Sequence, residues 1–153
     1  HRFSSAGFNV RMSDLQGAIG VCQMDRFPDF VESRAKWAAQ IREGIESVGG
    51  LKFLPGHFRE GSVVQSLVGI LDAGIDREAF CNELRGLGVE NTIASYGIHR
   101  LPLWRDSHNP ADFPNAEQWH QRGVTLPLFP HMTSTQVTMV IESVNRVVKG
   151  GKK

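Results

Sequence analysis

A glycine, an amide and a guanidinium stand close together near the amino terminus, in Gly7-Phe8-Asn9-Val10-Arg11-Met12. Asn9 offers two amide N–H donors and Arg11 a fixed fork of donors, a pair suited to gripping a phosphate or a carboxylate. These residue types also suit a plainer use, in which Asn9 closes a turn and Arg11 lays its stem along the surface. Elsewhere the strong local signatures of chemistry are missing. The sequence has no Gly-rich phosphate loop, no dinucleotide-binding glycine pattern, no cysteines paired at zinc spacing and no His-Glu-x-x-His. Its histidines, at positions 1, 57, 99, 108, 120 and 131, never fall four apart, so no two imidazoles share a helix face toward a metal. No metal site is expected. Lys36, Lys52, Lys149, Lys152 and Lys153 read as solvated charges on a helix side, in a short strand and in the tail. None has the apolar shelter that would lower a lysine pKa for nucleophilic work.

The elements that must position these groups follow from capping and periodicity. Ser13-Asp14-Leu15-Gln16 reads as a capping box, so a helix begins at Asp14. Leu15, Ala18, Ile19 and Cys22 share one face as far as about Phe27, and Pro28 is expected to kink the helix or open another. From Asp29, the residues Phe30, Trp37, Ala38, Ile41, Ile45 and Val48 keep the helical period until Gly49-Gly50, which makes this the longest helix. Residues 51–54 form a candidate strand before the Pro55-Gly56 turn, and residues 63–71 a better one. Asp76 caps a helix whose buried face would carry Ala79, Phe80, Leu84 and Leu87, followed by a strand over residues 89–93. Residues 97–114, with Pro102, Pro110 and Pro114, make a long irregular connection of the kind that often carries function. A short helix over residues 115–122 and an extended piece over 124–128 follow. A second capping box, Thr133-Ser134-Thr135-Gln136, then opens a final helix with Val137, Val140, Ile141, Val144 and Val148 inside. Residues 149–153 read as a frayed tail, and Trp37, Trp104 and Trp119 as packing residues. The order of strands and helices argues for helices layered on a small sheet, α+β or α/β.

Composition bounds the rest. The 153 residues suffice for one domain with its own core, and 41% hydrophobic with 22% charged residues excludes a disordered or coiled-coil chain. A formal charge of +1 gives no reason to expect nucleic acid or an anionic membrane as partner. Cys22 and Cys81 both lie in apolar helical patterns and read as reduced, buried thiols. No stretch approaches the roughly 18 apolar residues of a membrane span, and there is no signal-like start, so a cytoplasmic setting is expected. The sequence opens on His1 rather than methionine, which suggests a piece of something longer.

The run from Gly7 through Met12, Ser13-Asp14-Leu15-Gln16-Gly17-Ala18-Ile19-Gly20 and on to Gln23-Met24-Asp25-Arg26-Phe27 resembles a known signature. It is that of the pyridoxal-phosphate-dependent nucleotide-sugar aminotransferases, the DegT/DnrJ/StrS family. The likeness continues in order through the long helix with Arg34, the Gly74-Ile75-Asp76-Arg77 helix start, residues 96–104, and Thr125-Leu126-Pro127-Leu128-Phe129-Pro130-His131-Met132-Thr133. It covers nearly the whole chain but only the carboxy-terminal half or less of the family. Val10 stands where the family usually has an aromatic residue, and Gly97-Ile98 replaces a Pro-containing pair.

The resemblance implies an α+β fold with a small, mainly antiparallel sheet packed with helices, like the C-terminal small domain of such aminotransferases. It divides the chain into an interdomain and dimer-contact segment with the long helix (1–48), a small α+β domain (49–149) and a tail (150–153). It implies that Asn9 reaches the phosphate of pyridoxal 5'-phosphate (PLP) in a partner subunit of a homodimer, with Arg11 nearby, and that Tyr96 and His99 border the nucleotide-sugar substrate. The Schiff-base lysine and the partner of the pyridine nitrogen belong to a missing N-terminal domain. The chain alone is therefore expected to hold no cofactor and to be inactive. The whole enzyme would move an amino group onto a nucleotide-linked keto-sugar. The alternative is a stand-alone interaction or ligand-binding module derived from such an enzyme. In either case Leu15 and Ile19 of the first helix are expected to be exposed apolar contacts.

Overall fold

A computed structural model describes residues 7–8, 10–59 and 61–151, apart from the side chain of His57. Four α-helices and a four-stranded sheet follow one another along the chain: α1 (Asp14–Glu46), β1 (Leu51–Phe53), β2 (Leu67–Leu71), α2 (Arg77–Gly86), β3 (Thr92–Ile93), α3 (Pro114–Arg122), β4 (Gly123–Leu126) and α4 (Ser134–Gly150). The strands lie in the order β1-β2-β4-β3, and every pairing is antiparallel. The α+β expectation holds, and the sheet is antiparallel throughout.

The register explains the core. Leu51 pairs with Leu71, Leu67 with Leu126, and Gly69 with both Phe53 and Val124, so these residues share one face and are buried on it. Against that face pack Ala38, Ile41 and Ile45 of α1, Phe80, Cys81 and Leu84 of α2, and the valines of α4. Gly50 lies where α1 turns into β1, at φ +93°; a Cβ there would stand 2.2 Å from the Val148 side chain, so only glycine fits. Asn145 Nδ2 donates to the Gly44 carbonyl at 2.9 Å and ties α4 to α1.

α1 carries the two main departures from expectation. It runs unbroken for 33 residues with Pro28 inside, where the sequence suggested a kink or two helices. Proline removes one backbone donor, and because Met24 and Pro28 are both exposed the freed Met24 carbonyl lies open to solvent, so the helix bears the loss. Its first half is also bare. Cys22 is exposed where a buried thiol was expected. Leu15 and Ile19 are exposed as expected, Met24 and Phe27 are exposed with them, and the first fully buried residue is Ala38. The helix is held where it meets the body: Arg34 Nη1 donates to the carbonyls of Gln65 (2.8 Å) and Leu128 (3.2 Å), and Phe30 meets the His131 ring edge-on at 5.6 Å.

Smaller corrections concern element edges. β2 begins at Leu67, not at 63, and the strand expected over 89–93 shrinks to Thr92–Ile93. Ala79 points away from the core. Lys149 and Gly150, read as tail, belong to the last turn of α4. Lys152 and Lys153 lie outside the described residues.

Candidate functional site

The loop between β3 and α3 builds a cavity. Its entry is fixed by Ala94, whose N–H donates to the Gly123 carbonyl at 3.1 Å. Gly97 is buried, and its N–H donates to Nδ1 of His120 at 3.0 Å. A Cβ on Gly97 would stand 3.0 Å from His99 Cε1 and 3.2 Å from His120 Cγ, so glycine permits the close packing of the two imidazoles here. A short 3-10 turn, Ile98–Arg100, then sets His99 inward and Arg100 outward. Asn109 caps a second such turn, Pro110–Asp112, by accepting from the Ala111 N–H, and Pro114 opens α3 at the position where proline costs a helix nothing.

The cavity measures about 430 Å³ and is lined by Tyr96, Ile98, His99, Trp104, His108 and Phe113, with Ala116 of α3. Its walls are rings. His99 stacks on Phe113 (5.4 Å, 21° between planes), His108 lies tilted against Phe113 at 5.8 Å, and Trp104 meets His108 edge-on at 6.0 Å. Tyr96 is 68% exposed and Trp104 44% exposed, so the wall is open to a ligand. This volume falls within the range of small-molecule sites.

Behind the wall lies one carboxylate that accepts four hydrogen bonds from three residues. Glu117 Oε2 accepts from His99 Nε2 at 2.9 Å and from Arg100 Nε at 2.7 Å, while Oε1 accepts from Arg100 Nη2 at 2.6 Å and from the Gln121 amide. The bidentate Arg100 bonds, with His99 second, lower the Glu117 carboxyl to about 2. His99 is 6% exposed and is one of the few buried polar residues of the described chain.

Of the residues singled out in the sequence, Tyr96 and His99 meet at this cavity. Arg11 does not line it; its side chain is exposed just ahead of α1. Asn9 lies outside the described residues. Trp104, expected to be packing, is part of the cavity wall. Glu117 and Arg100 escaped sequence reading, because a pairing across 17 positions between a loop and the following helix leaves no periodic trace. Of the described lysines, Lys36 Nζ sits over the Trp37 ring at 4.6 Å, Lys52 faces Asp72 at 4.0 Å and Lys149 is exposed in α4, and none of the three lines the cavity. Among the described residues no helix is long and apolar enough to cross a membrane.

Residues 1–145 match the model of the DegT/DnrJ/EryC1/StrS aminotransferase family. The spore coat polysaccharide biosynthesis protein SpsC of Bacillus subtilis is 29% identical over 98% of this chain and 40% of its own length. The GDP-perosamine synthase of Escherichia coli O157:H7 is 28% identical over 91% of this chain and 37% of its own. Among solved structures, an aminotransferase of pseudoaminic acid biosynthesis from Helicobacter pylori superposes with a TM-score of 0.85 at 17% identity, covering 97% of this chain and 41% of that one. The PLP-form of a putative sugar aminotransferase from Streptococcus pneumoniae gives 0.83 at 19% identity, over 93% and 37%. The chain thus spans about 40% of the length of the relatives it matches. With a family match over almost its whole length, and the fold of sugar aminotransferases around its cavity, the chain belongs to the DegT/DnrJ/EryC1/StrS aminotransferase family.

Proposed function

We propose that this chain supplies the C-terminal part of a PLP-dependent aminotransferase that acts on a nucleotide-linked keto-sugar. The observation that carries the reading is the family match over residues 1–145 in a chain about 40% as long as its relatives. PLP, when bound, supplies the electron sink for amino transfer. The lysine that holds it lies in the part of the enzyme beyond this chain, so residues 1–153 alone are inactive. Asn9 and Arg11 donate to the cofactor phosphate of a partner subunit, and Tyr96 and His99 face the substrate. The exposed apolar residues of the first half of α1, Leu15, Ile19, Met24 and Phe27, meet the partner subunit and the N-terminal domain. A cytoplasmic enzyme fits this substrate.

The test is made on the polypeptide from its native source. An intact mass more than twice 17.0 kDa, amino transfer from glutamate to a nucleotide-linked keto-sugar, and weaker PLP retention in Asn9→Ala are the expected results. A native mass near 17.0 kDa, with no transfer activity, would leave an interaction module in place of an enzyme part.

A further inference from the structure

Gly97 has the backbone angle of a proline and none of its rigidity. Its φ of -73° lies within the range that a proline ring enforces, yet glycine is the residue with most freedom to leave that range. What holds it is His120. A backbone N–H can only donate, so the 3.0 Å contact of Gly97 N with His120 Nδ1 places a lone pair on that ring nitrogen. Proline could not make this bond: it has no N–H, and its Cδ would stand on the line that the N–H now takes to the imidazole. Gly97 is buried, and His120, half-buried on the last turn of α3, packs directly against it. The His120 backbone is itself anchored, since Arg77 of α2 donates to its carbonyl. The tie also has a definite place in the loop. Before it, Ala94 donates to the Gly123 carbonyl; after it, His99 and Arg100 bond to Glu117. Tyr96 and Ile98, which flank Gly97, are exposed walls of the cavity, whereas His120 is not a wall and reaches the cavity through Gly97.

We propose that His120 is a positioning residue for the cavity: by accepting the Gly97 N–H it fixes the turn from which Tyr96 and Ile98 project, and so holds the wall that meets the substrate. The proposal rests on the reading that Tyr96 and His99 face a nucleotide-linked sugar, and it adds the residue outside the cavity that keeps this part of the wall in place.

The test compares His120→Ala, which removes the acceptor, with His120→Asn, whose Oδ1 accepts from nearly the same place as Nδ1. In the isotope-labelled chain, hydrogen exchange at the Gly97 amide should speed up about tenfold in His120→Ala, the scale of one hydrogen bond, and return to within about threefold of the unaltered chain in His120→Asn. The Tyr96 ring and Ile98 methyl signals should shift in the first variant and recover in the second. In the native enzyme, KM for the nucleotide-linked sugar should rise about tenfold in His120→Ala, with kcat and the KM for the amino donor within about twofold of the unaltered enzyme, and His120→Asn should restore most of the loss. Unaltered exchange at Gly97 in His120→Ala would overturn the proposal. An Asn variant no better than the Ala variant would overturn it as well, leaving the imidazole as packing alone. So would a freed Gly97 amide with an unmoved KM, since the tie would then hold nothing that the substrate meets. If the Gly97, Tyr96 and Ile98 signals respond as expected but the native enzyme aminates no nucleotide-linked sugar, the hold of His120 on the cavity wall stands and the enzymatic reading fails.

Discussion

α1 and α4 begin with the same device. Gln16 N–H donates to Ser13 Oγ while Ser13 N–H donates to the Gln16 side chain, and Thr133 and Gln136 form the same reciprocal pair. Yet α4 buries Val137, Val140, Val144, Val147 and Val148 within this chain, whereas α1 buries nothing until Ala38. Local capping therefore decides where each helix starts, and the surroundings decide what each is for. At about 1.5 Å per residue, α1 is about 50 Å long, so its first half stands well clear of the core. Leu15, Ile19, Met24 and Phe27 thus stay exposed, with no cover among the described residues of this chain.

The comparison breaks most decisively in the core. Ile45→Ala should lower the stability of the chain by about 2–5 kcal/mol, while Ile19→Ala should change it by about 0.5 kcal/mol or less, as chemical denaturation of both variants would show. Comparable losses would mean that the first half of α1 folds back onto the body. The two caps sharpen the contrast at smaller scale: Thr133→Ala should cost about 1 kcal/mol of global stability, whereas Ser13→Ala should fray only the first turn of α1. Hydrogen exchange at the amides of residues 14–17 would separate local from global loss.

The smallest effect concerns pH at the cavity wall. The Glu117 carboxyl is lowered from 4.5 to about 2, so its contribution is complete above the ordinary carboxylate range and is lost as pH falls through about 2. The Arg100 Nε–H signal, bonded to the Glu117 carboxylate, should hold steady from neutral pH to about 4 and move only below that range. In Glu117→Gln this acid transition should vanish; its persistence would point to another carboxylate.

How far the sequence revealed these features depended on how local each one is. Both capping boxes and the Asp76 cap are visible within four residues, and the structure forms all three. The continuity of α1 was not visible, because a proline in an exposed helix forfeits one bond while the sequence rule counts it as a break. Tyr96 and His99 came from a family likeness, and their meeting at one cavity depends on Gly97 packing against His120. Glu117 came from neither, since His99 and Arg100, which bond it, are a loop away.

Pro28 acquires a mechanical meaning from its place. Arg34 and Phe30 clamp α1 to the loops that lead into β2 and out of β4, and Pro28, with no N–H to offer Met24, lies just beyond the clamp on the free side. The helix is a cantilever with a riveted root and its weakest section beside the rivet. A load on the bare arm is expected to bend it first at Pro28, where one backbone bond is missing.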